Sequence, residues 1–171
     1  MVTHLVAQGH RRIGTIVAPS LWATAQRLRG FREAMRAEVG GADATLVRRL
    51  TTGSVDEAER AARDLLAVPD PPTAVFTTTG FMTQGLLRAL GPRRDVAVVG
   101  FDDFPLADML PVPITVVAGD PNVLGTLAAQ TLFARIDGWA GPQTRRVVRP
   151  TLILRGSGEI HPAGFTRSSV R

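Results

Sequence analysis

Residues 71–103 read PPTAVFTTTGFMTQGLLRALGPRRDVAVVGFDD, and this stretch decides the fold. Thr73 to Thr78 is a short run rich in β-branched and aromatic residues, opened by the breaker Pro69-Asp-Pro-Pro72. Asp95 to Phe101 is a near-continuous apolar run, as expected of a parallel strand covered on both faces. Between them, Phe81 to about Leu90 reads as a helix. Strand, helix and strand at this spacing predict a parallel pair with a helix crossing over it.

Outward from that unit the same alternation repeats. Val2 to Ala7 reads as the end of a helix stopped by Gly9, and Ile13 to Ala18 as a strand. Thr24 to Val39 is amphipathic, with Leu28, Phe31, Met35 and Val39 on one stripe and Gly40-Gly41 behind it. Leu46 to Thr51 is a further strand, and Ser54-Val-Asp-Glu57 forms a capping box ahead of a helix carrying Ala58, Ala61, Ala62, Leu65 and Leu66. Downstream, Asp102 to Pro113 is a Pro-rich loop and Ile114 to Ala118 a strand. Asn122 to Trp139 is a long helix with Leu124, Ala128, Leu132 and Ile136 spaced by four. Thr144 to Leu154 is a last strand region, interrupted at Pro150, which cannot donate to a ladder, and the residues after Gly156 read as a loose tail. The expectation is an α/β fold with a doubly wound, mainly parallel sheet. There is no internal repeat.

Composition narrows the chemistry. The 171 residues contain no Cys, and each of the 20 basic residues is Arg. That excludes disulfides, zinc–cysteine sites, thiol nucleophiles and every lysine-based mechanism. The net charge of +5 is unevenly placed: Arg and carboxylates balance up to Gln143. The surplus lies in Arg145, Arg146, Arg149, Arg155, Arg167 and Arg171 against Glu159, which reads as a solvated end rather than a nucleic-acid surface. No apolar stretch is long enough to span a membrane and no secretory signal is visible at the start, so the expected location is cytoplasmic.

In a sheet of this kind ligands gather at the carboxyl ends of the strands, which directs the search to four places. These are Pro19 to Trp22, Thr51 to Ser54, Thr78 to Phe81, and Asp102-Asp103. None of the histidines, His4, His10 and His161, stands at a strand end beside a Ser or carboxylate, and His10 reads as a turn cap. No nucleophile elbow and no dinucleotide fingerprint is present, so catalysis finds no support. Asp102-Asp103 could hold Mg²⁺ or accept hydrogen bonds from a polyhydroxylated or basic ligand, and the shortage of further carboxylates favours the second use. Arg27 and Arg29 lie in a first helical turn, a poor place for a cation. Arg29 reads as surface, and Arg27, one before core Leu28, as a cleft contact. Trp22 either stacks on a ligand ring or caps its helix.

Several strings then act together: HLVAQGHRRIGTIVAP (4–19), RLRGFREAM (27–35), PPTAVFTTTGFMTQGLLRAL (71–90), DVAVVGFDDFPLADMLPVPITVV (95–117), LGTLAAQTLFARIDG (124–138) and RPTLILRGS (149–157). In order and spacing they resemble the effector-binding region of bacterial transcriptional repressors of the LacI/GalR family. The resemblance implies one lobe of a periplasmic-binding-protein type I core. Residues 1–118 would form the C-terminal lobe, 119–145 a segment returning to the other lobe, 146–157 the final strand, and 158–171 a basic tail. It also implies that the helix-turn-helix head, the hinge and most of the first lobe stand outside this chain.

By the same resemblance, Arg27 matches the arginine that contacts the effector, and Asp102 the aspartate that accepts from its hydroxyls or amines. Thr79-Gly80 replaces an Asn-Asp pair, Ser54 stands near a position often aromatic, and Gly119 where Gln is common. The ligand set implied is therefore Arg27, Asp102, Thr79, Trp22 and Ser54, for a sugar, nucleoside or similar polar effector, with no metal and no cofactor. A homodimer through Phe81–Leu90 and Phe104–Pro113 is implied, with operator DNA contacted only by a head domain. A transport solute-binding protein, a small α/β enzyme using Asp102 and a non-functional remnant are the alternatives.

Overall fold

A computed structural model describes residues 1–18, 22–142 and 145–166. Among these residues six strands form one mainly parallel sheet, as the alternation predicts, and their order is β2-β1-β3-β4-β5-β6. They are β1 (Ile13–Val17), β2 (Val47–Arg49), β3 (Ala74–Thr77), β4 (Ala97–Phe101), β5 (Thr115–Ala118) and β6 (Thr151–Ile153). β1 to β5 pair in parallel and β6 runs antiparallel on β5.

Helices cover both faces. α1 (Val2–Ala7) and α2 (Trp22–Val39) pack on one side, where Leu5, Leu28, Phe31 and Met35 meet Ile13, Val17, Phe76 and Val99. Phe31 and Phe76 stack with centroids 6.1 Å apart. α3 (Val55–Leu66) and α4 (Gly80–Leu90) cover the other side, where Ala58, Ala62, Leu65 and Leu86 meet Ile16, Val75 and Val98. Gly85 permits this second layer: a Cβ there would stand 2.5 Å from the Ala58 Cβ and 2.6 Å from the Val55 carbonyl. Because the five parallel strands share one direction, all their carboxyl ends lie along one edge of the sheet.

Several expectations need correction. β2 is shorter than the run from Leu46 to Thr51, because Ala44–Leu46 closes into a 3₁₀ turn capped by Asp43, which accepts the Thr45 amide. The last strand is only Thr151–Ile153, directly after Pro150; Gln143 and Thr144 lie outside the described residues. α5 (Pro121–Ile136) forms where a helix was expected, with Asp120 accepting the amides of Asn122 and Val123, but it buries no residue.

The segment after Gly156 is not loose as far as residue 166. Ser157 is buried; its hydroxyl donates to the Val98 carbonyl (2.6 Å) and accepts the Thr115 amide (2.8 Å). The imidazole of His4 meets the Glu159 carboxylate at 2.7 Å. His10 is 0% exposed. Its Nε2 donates to the Ile160 carbonyl (2.8 Å), which leaves Nδ1 to accept the Thr73 hydroxyl (2.8 Å). His161 Nδ1 donates to the Gln8 carbonyl (3.0 Å) and its ring stacks on Phe165. All three histidines thus fasten one segment to the start of the chain. The rest of the expected tail, 167–171, lies outside the described residues.

Candidate functional site

The parallel strands bring the expected residues to one edge, and two of them into direct contact. Arg27, in the second turn of α2, extends across the end of β3 to the end of β4. Its Nη1 donates to the Thr78 carbonyl (2.6 Å) and to Asp102 Oδ2 (3.1 Å), and Nη2 approaches Asp102 Oδ1 at 3.4 Å. The guanidinium carbon lies 3.7 Å from the centroid of the Phe101 ring, so the cation rests on an aromatic face. This explains a cation near the start of a helix: Arg27 is directed to the sheet edge. Arg29, read as surface, pairs with Glu33 one turn on.

Asp102 is one of two non-glycine residues with positive φ, at 70°, among the described residues. The left-handed region costs an L residue about 1 kcal/mol or more, and Asp is among those that tolerate it best. The backbone turns sharply there, directly after β4, and the Asp102 amide still donates to the Val117 carbonyl (3.0 Å). Side-chain exposure is 49% for Asp102 and 21% for Arg27. A pair this open contributes about 0–1 kcal/mol to stability. The carboxylate has lone pairs beyond those Arg27 occupies, and these can accept hydroxyl or amine donors.

Asp103 points elsewhere. Its oxygens take both Nη atoms of Arg155, at 2.7 and 2.6 Å, and the Phe104 amide at 3.0 Å. The arginine hydrogen bonds hold the Asp103 carboxyl below its usual range. Arg155 was counted with a solvated basic end; its side chain is 18% exposed and paired, which corrects that reading. With both carboxylates matched to arginines, the Asp102-Asp103 step is a poor divalent-ion site. Among the described residues no three His, Asp or Glu side chains come together as metal ligands.

The remaining candidates fall around this pair unequally. Thr79 is the N-cap residue of α4, makes no side-chain capping bond, and has a buried hydroxyl without a hydrogen-bond partner. Gly80 lies beneath Phe104, whose Cβ is 3.5 Å from where a Gly80 Cβ would stand. Trp22 opens α2 and is 72% exposed, so it does not cap the helix by packing. Ser54 is committed to its own helix, its hydroxyl accepting the Glu57 amide at 3.2 Å.

The capping box is only half formed. The Glu57 carboxylate reaches past Ser54 to the amides of Thr51 (2.7 Å), Thr52 (2.8 Å) and Gly53 (3.1 Å). Those bonds, led by the Thr51 amide, pull its pKa down to about 2. Gly53 brings this loop within 3.1 Å of Ala18 and 3.5 Å of Met82, as measured from an added Cβ, so the loop flanks the site without contributing Ser54 to the Arg27–Asp102 pair. Phe101 beneath Arg27, the Thr78 carbonyl and Arg155 join the site without having been expected there. Only the last carried a signal, as the Arg within RPTLILRGS.

Comparison with known proteins fits this geometry. A family model described as a periplasmic binding protein-like domain matches residues 2–158. The chain is 35% identical over 164 residues to the HTH-type transcriptional regulator MalR of Streptomyces coelicolor, covering 91% of this chain and 47% of that protein. It is 36% identical to the ribose operon repressor of Escherichia coli K12, covering 90% and 48%. A solved complex of the transcriptional regulator CelR with cellobiose superposes with a TM-score of 0.82 at 37% identity, covering 91% of this chain and 49% of that one. The chain therefore spans about half the length of the curated relatives it matches. No helix among the described residues is long and apolar enough to cross a membrane. With a family model matching residues 2–158 and a mainly parallel six-stranded sheet, the chain belongs to the periplasmic binding protein-like domain family, in the form found in LacI-type regulators.

Proposed function

We propose that this chain is the effector-sensing part of a LacI/GalR-type transcriptional regulator and binds a small polar ligand, a sugar, nucleoside or related polyol, at Arg27 and Asp102. The observation that carries this reading is the Arg27–Asp102 pair on the Phe101 ring, half open at the strand ends and worth little to stability. A ligand hydroxyl adding to that pair meets a donor fork and an acceptor already held together, so little ordering is needed on binding. The unpartnered Thr79 hydroxyl, buried at the start of α4, adds a polar contact once its side chain turns outward, and the exposed Trp22 adds a stacking surface. Ser54 is a peripheral contact at most, since its hydroxyl is already a cap. Two relatives carry sugar names, the ribose operon repressor and CelR with cellobiose, which supports the ligand class.

The rest of the regulator is read from the same likeness. Residues 1–118 and 146–157 form one lobe, and 119–145 belongs with the other lobe of a longer protein, which would cover the apolar surface α5 leaves open. A ligand bridging two lobes stabilises the closed state by its differential affinity, and so changes DNA binding by a head domain. The exposed Phe81, Leu106 and Met109 fall within the segments proposed to form a homodimer, Phe81–Leu90 and Phe104–Pro113. The setting is cytoplasmic, and the role is sensing rather than catalysis, without a cofactor.

A thermal-shift series with cellobiose, ribose and adenosine at tens of millimolar tests the ligand reading. Wild-type 1–171 is expected to gain stability with at least one of them and Asp102→Asn to lose that gain. No gain with any, or an equal gain in both proteins, contradicts it. Because one lobe supplies only part of a cleft, the affinity expected is weak. A gel shift should show no specific operator binding by 1–171 alone.

A further inference from the structure

We propose that Arg155 is a positioning residue for this site: its two-pronged pair with Asp103 holds the turn at residues 102–103 in the left-handed backbone that sets the Asp102 carboxylate against Arg27. The link to ligand binding rests on the effector reading above; the positioning itself does not.

A non-glycine residue at φ 70° returns to the extended region unless its neighbours prevent it. The Asp102 amide bond to Val117 fixes one side of the turn. On the other side the fixed point is the Asp103 carboxylate, gripped by both Arg155 nitrogens and the Phe104 amide. A bidentate arginine–carboxylate pair sets direction as well as distance, which a single-point ion pair does not.

Arg155 is itself anchored away from that turn. Its amide donates to the Thr115 hydroxyl oxygen (3.0 Å), and the Thr115 hydroxyl donates to Glu159 (2.9 Å). The grip on Asp103 thus comes from Arg155, 52 residues away along the chain and itself tied to β5 and the C-terminal segment.

Place in the chain gives the pair a consequence. The polypeptide leaves the sheet at Ala118, forms α5, and returns as β6, Thr151–Ile153. Arg155 is the second residue after β6. Val117, which holds the Asp102 amide, stands just before this excursion and Arg155 just after it, so the two grips on the turn flank the excursion through α5. Arg27 and Arg155 divide the work: the first touches the Asp102 carboxylate, the second fixes the backbone that carries it.

The test uses the isotope-labelled 1–171 chain in solution NMR. A positive φ brings the amide and α protons of a residue close together, giving a strong intraresidue cross-peak in the NOE spectrum. Wild type is expected to show that cross-peak at Asp102. Arg155→Gln removes the fork, and the milder Asp103→Asn keeps an acceptor for the Phe104 amide while removing the charge. In both the cross-peak should weaken and the Arg27 Hε resonance should move, while the spectrum stays that of a folded chain. Retention of the wild-type cross-peak in either folded variant overturns the proposal. If Arg155→Gln does not fold, Asp103→Asn decides alone. Titration of the same samples with cellobiose separates the two readings: binding should weaken about tenfold in the variants. A wild type in which cellobiose moves no resonance at the strand ends counts against the effector reading for this sugar and leaves the positioning result standing.

Discussion

α2 and α5 carry comparable rows of large apolar side chains and use them in opposite ways. On α2, Leu28, Phe31 and Met35 are buried against the sheet. On α5, Val123, Leu124, Leu132, Phe133 and Ile136 are all exposed. Local signals are not what separates them, since α5 has an Asp120 cap and Pro121 in its first turn. The difference lies in the second surface: α2 lies over β1 and β3, and among the described residues no layer buries a side chain of α5. Apolar spacing therefore encodes a helix and a face, and the rest of the fold decides whether that face is covered.

That contrast can be broken most severely at the core. Phe76→Ala, at a fully buried ring stacked on Phe31, should cost about 3–5 kcal/mol in urea unfolding. A cost below about 1 kcal/mol would mean that the α2 layer is loosely packed and the comparison false. Gly85→Ala should cost less, about 1–3 kcal/mol, by forcing α3 and α4 apart where the Ala58 Cβ and Val55 carbonyl approach.

The histidine-fastened segment gives a smaller, pH-dependent effect. Burial, the largest influence, lowers the pKa of His10 from the ordinary 6.5. The unfolded chain therefore takes up a proton first as pH falls. The stability linked to neutral His10 is present in full above the ordinary value and is lost as pH falls from there through the lower folded value. Melting temperature should decline across that window in wild type and decline less in His10→Gln. Parallel curves would remove His10 as the cause. The smallest effect is expected on α5: Phe133→Ala should change the stability of 1–171 by no more than about 0.5 kcal/mol. A core-sized loss there would show that α5 is covered after all.

What the sequence made legible follows the same division. β1, β3 and β4 were readable because strands buried on both faces give continuous apolar runs, and α2 because its stripe matches the helical period. The extent of β6 was not, since Pro150 marks an interruption without saying how little strand survives beyond it. Arg27 and Asp102 were found from their places at strand ends and a family likeness, and the structure joins them at 3.1 Å. The segment from Ser157 to Phe165 read as a tail because it has no apolar period. It is held by single polar bonds from His4, His10, Thr115 and Val98, which leave no repeating trace. Arg155 was misread for a related reason: counting charges by position along the chain ignores a carboxylate distant in sequence and adjacent in space.

We propose that the Arg27–Asp102 edge of the sheet is where this chain meets its ligand. Amide resonances of labelled 1–171, followed through titration with cellobiose, ribose and adenosine, test it most directly. The ligand that binds is expected to move the resonances of Arg27, Thr79, Phe101 and Asp102 together and to leave in place those of Leu87 and Leu110, which line a different cavity with Val96 and Ile114. Shifts confined to the latter region, or no shift with any of the three, would contradict it.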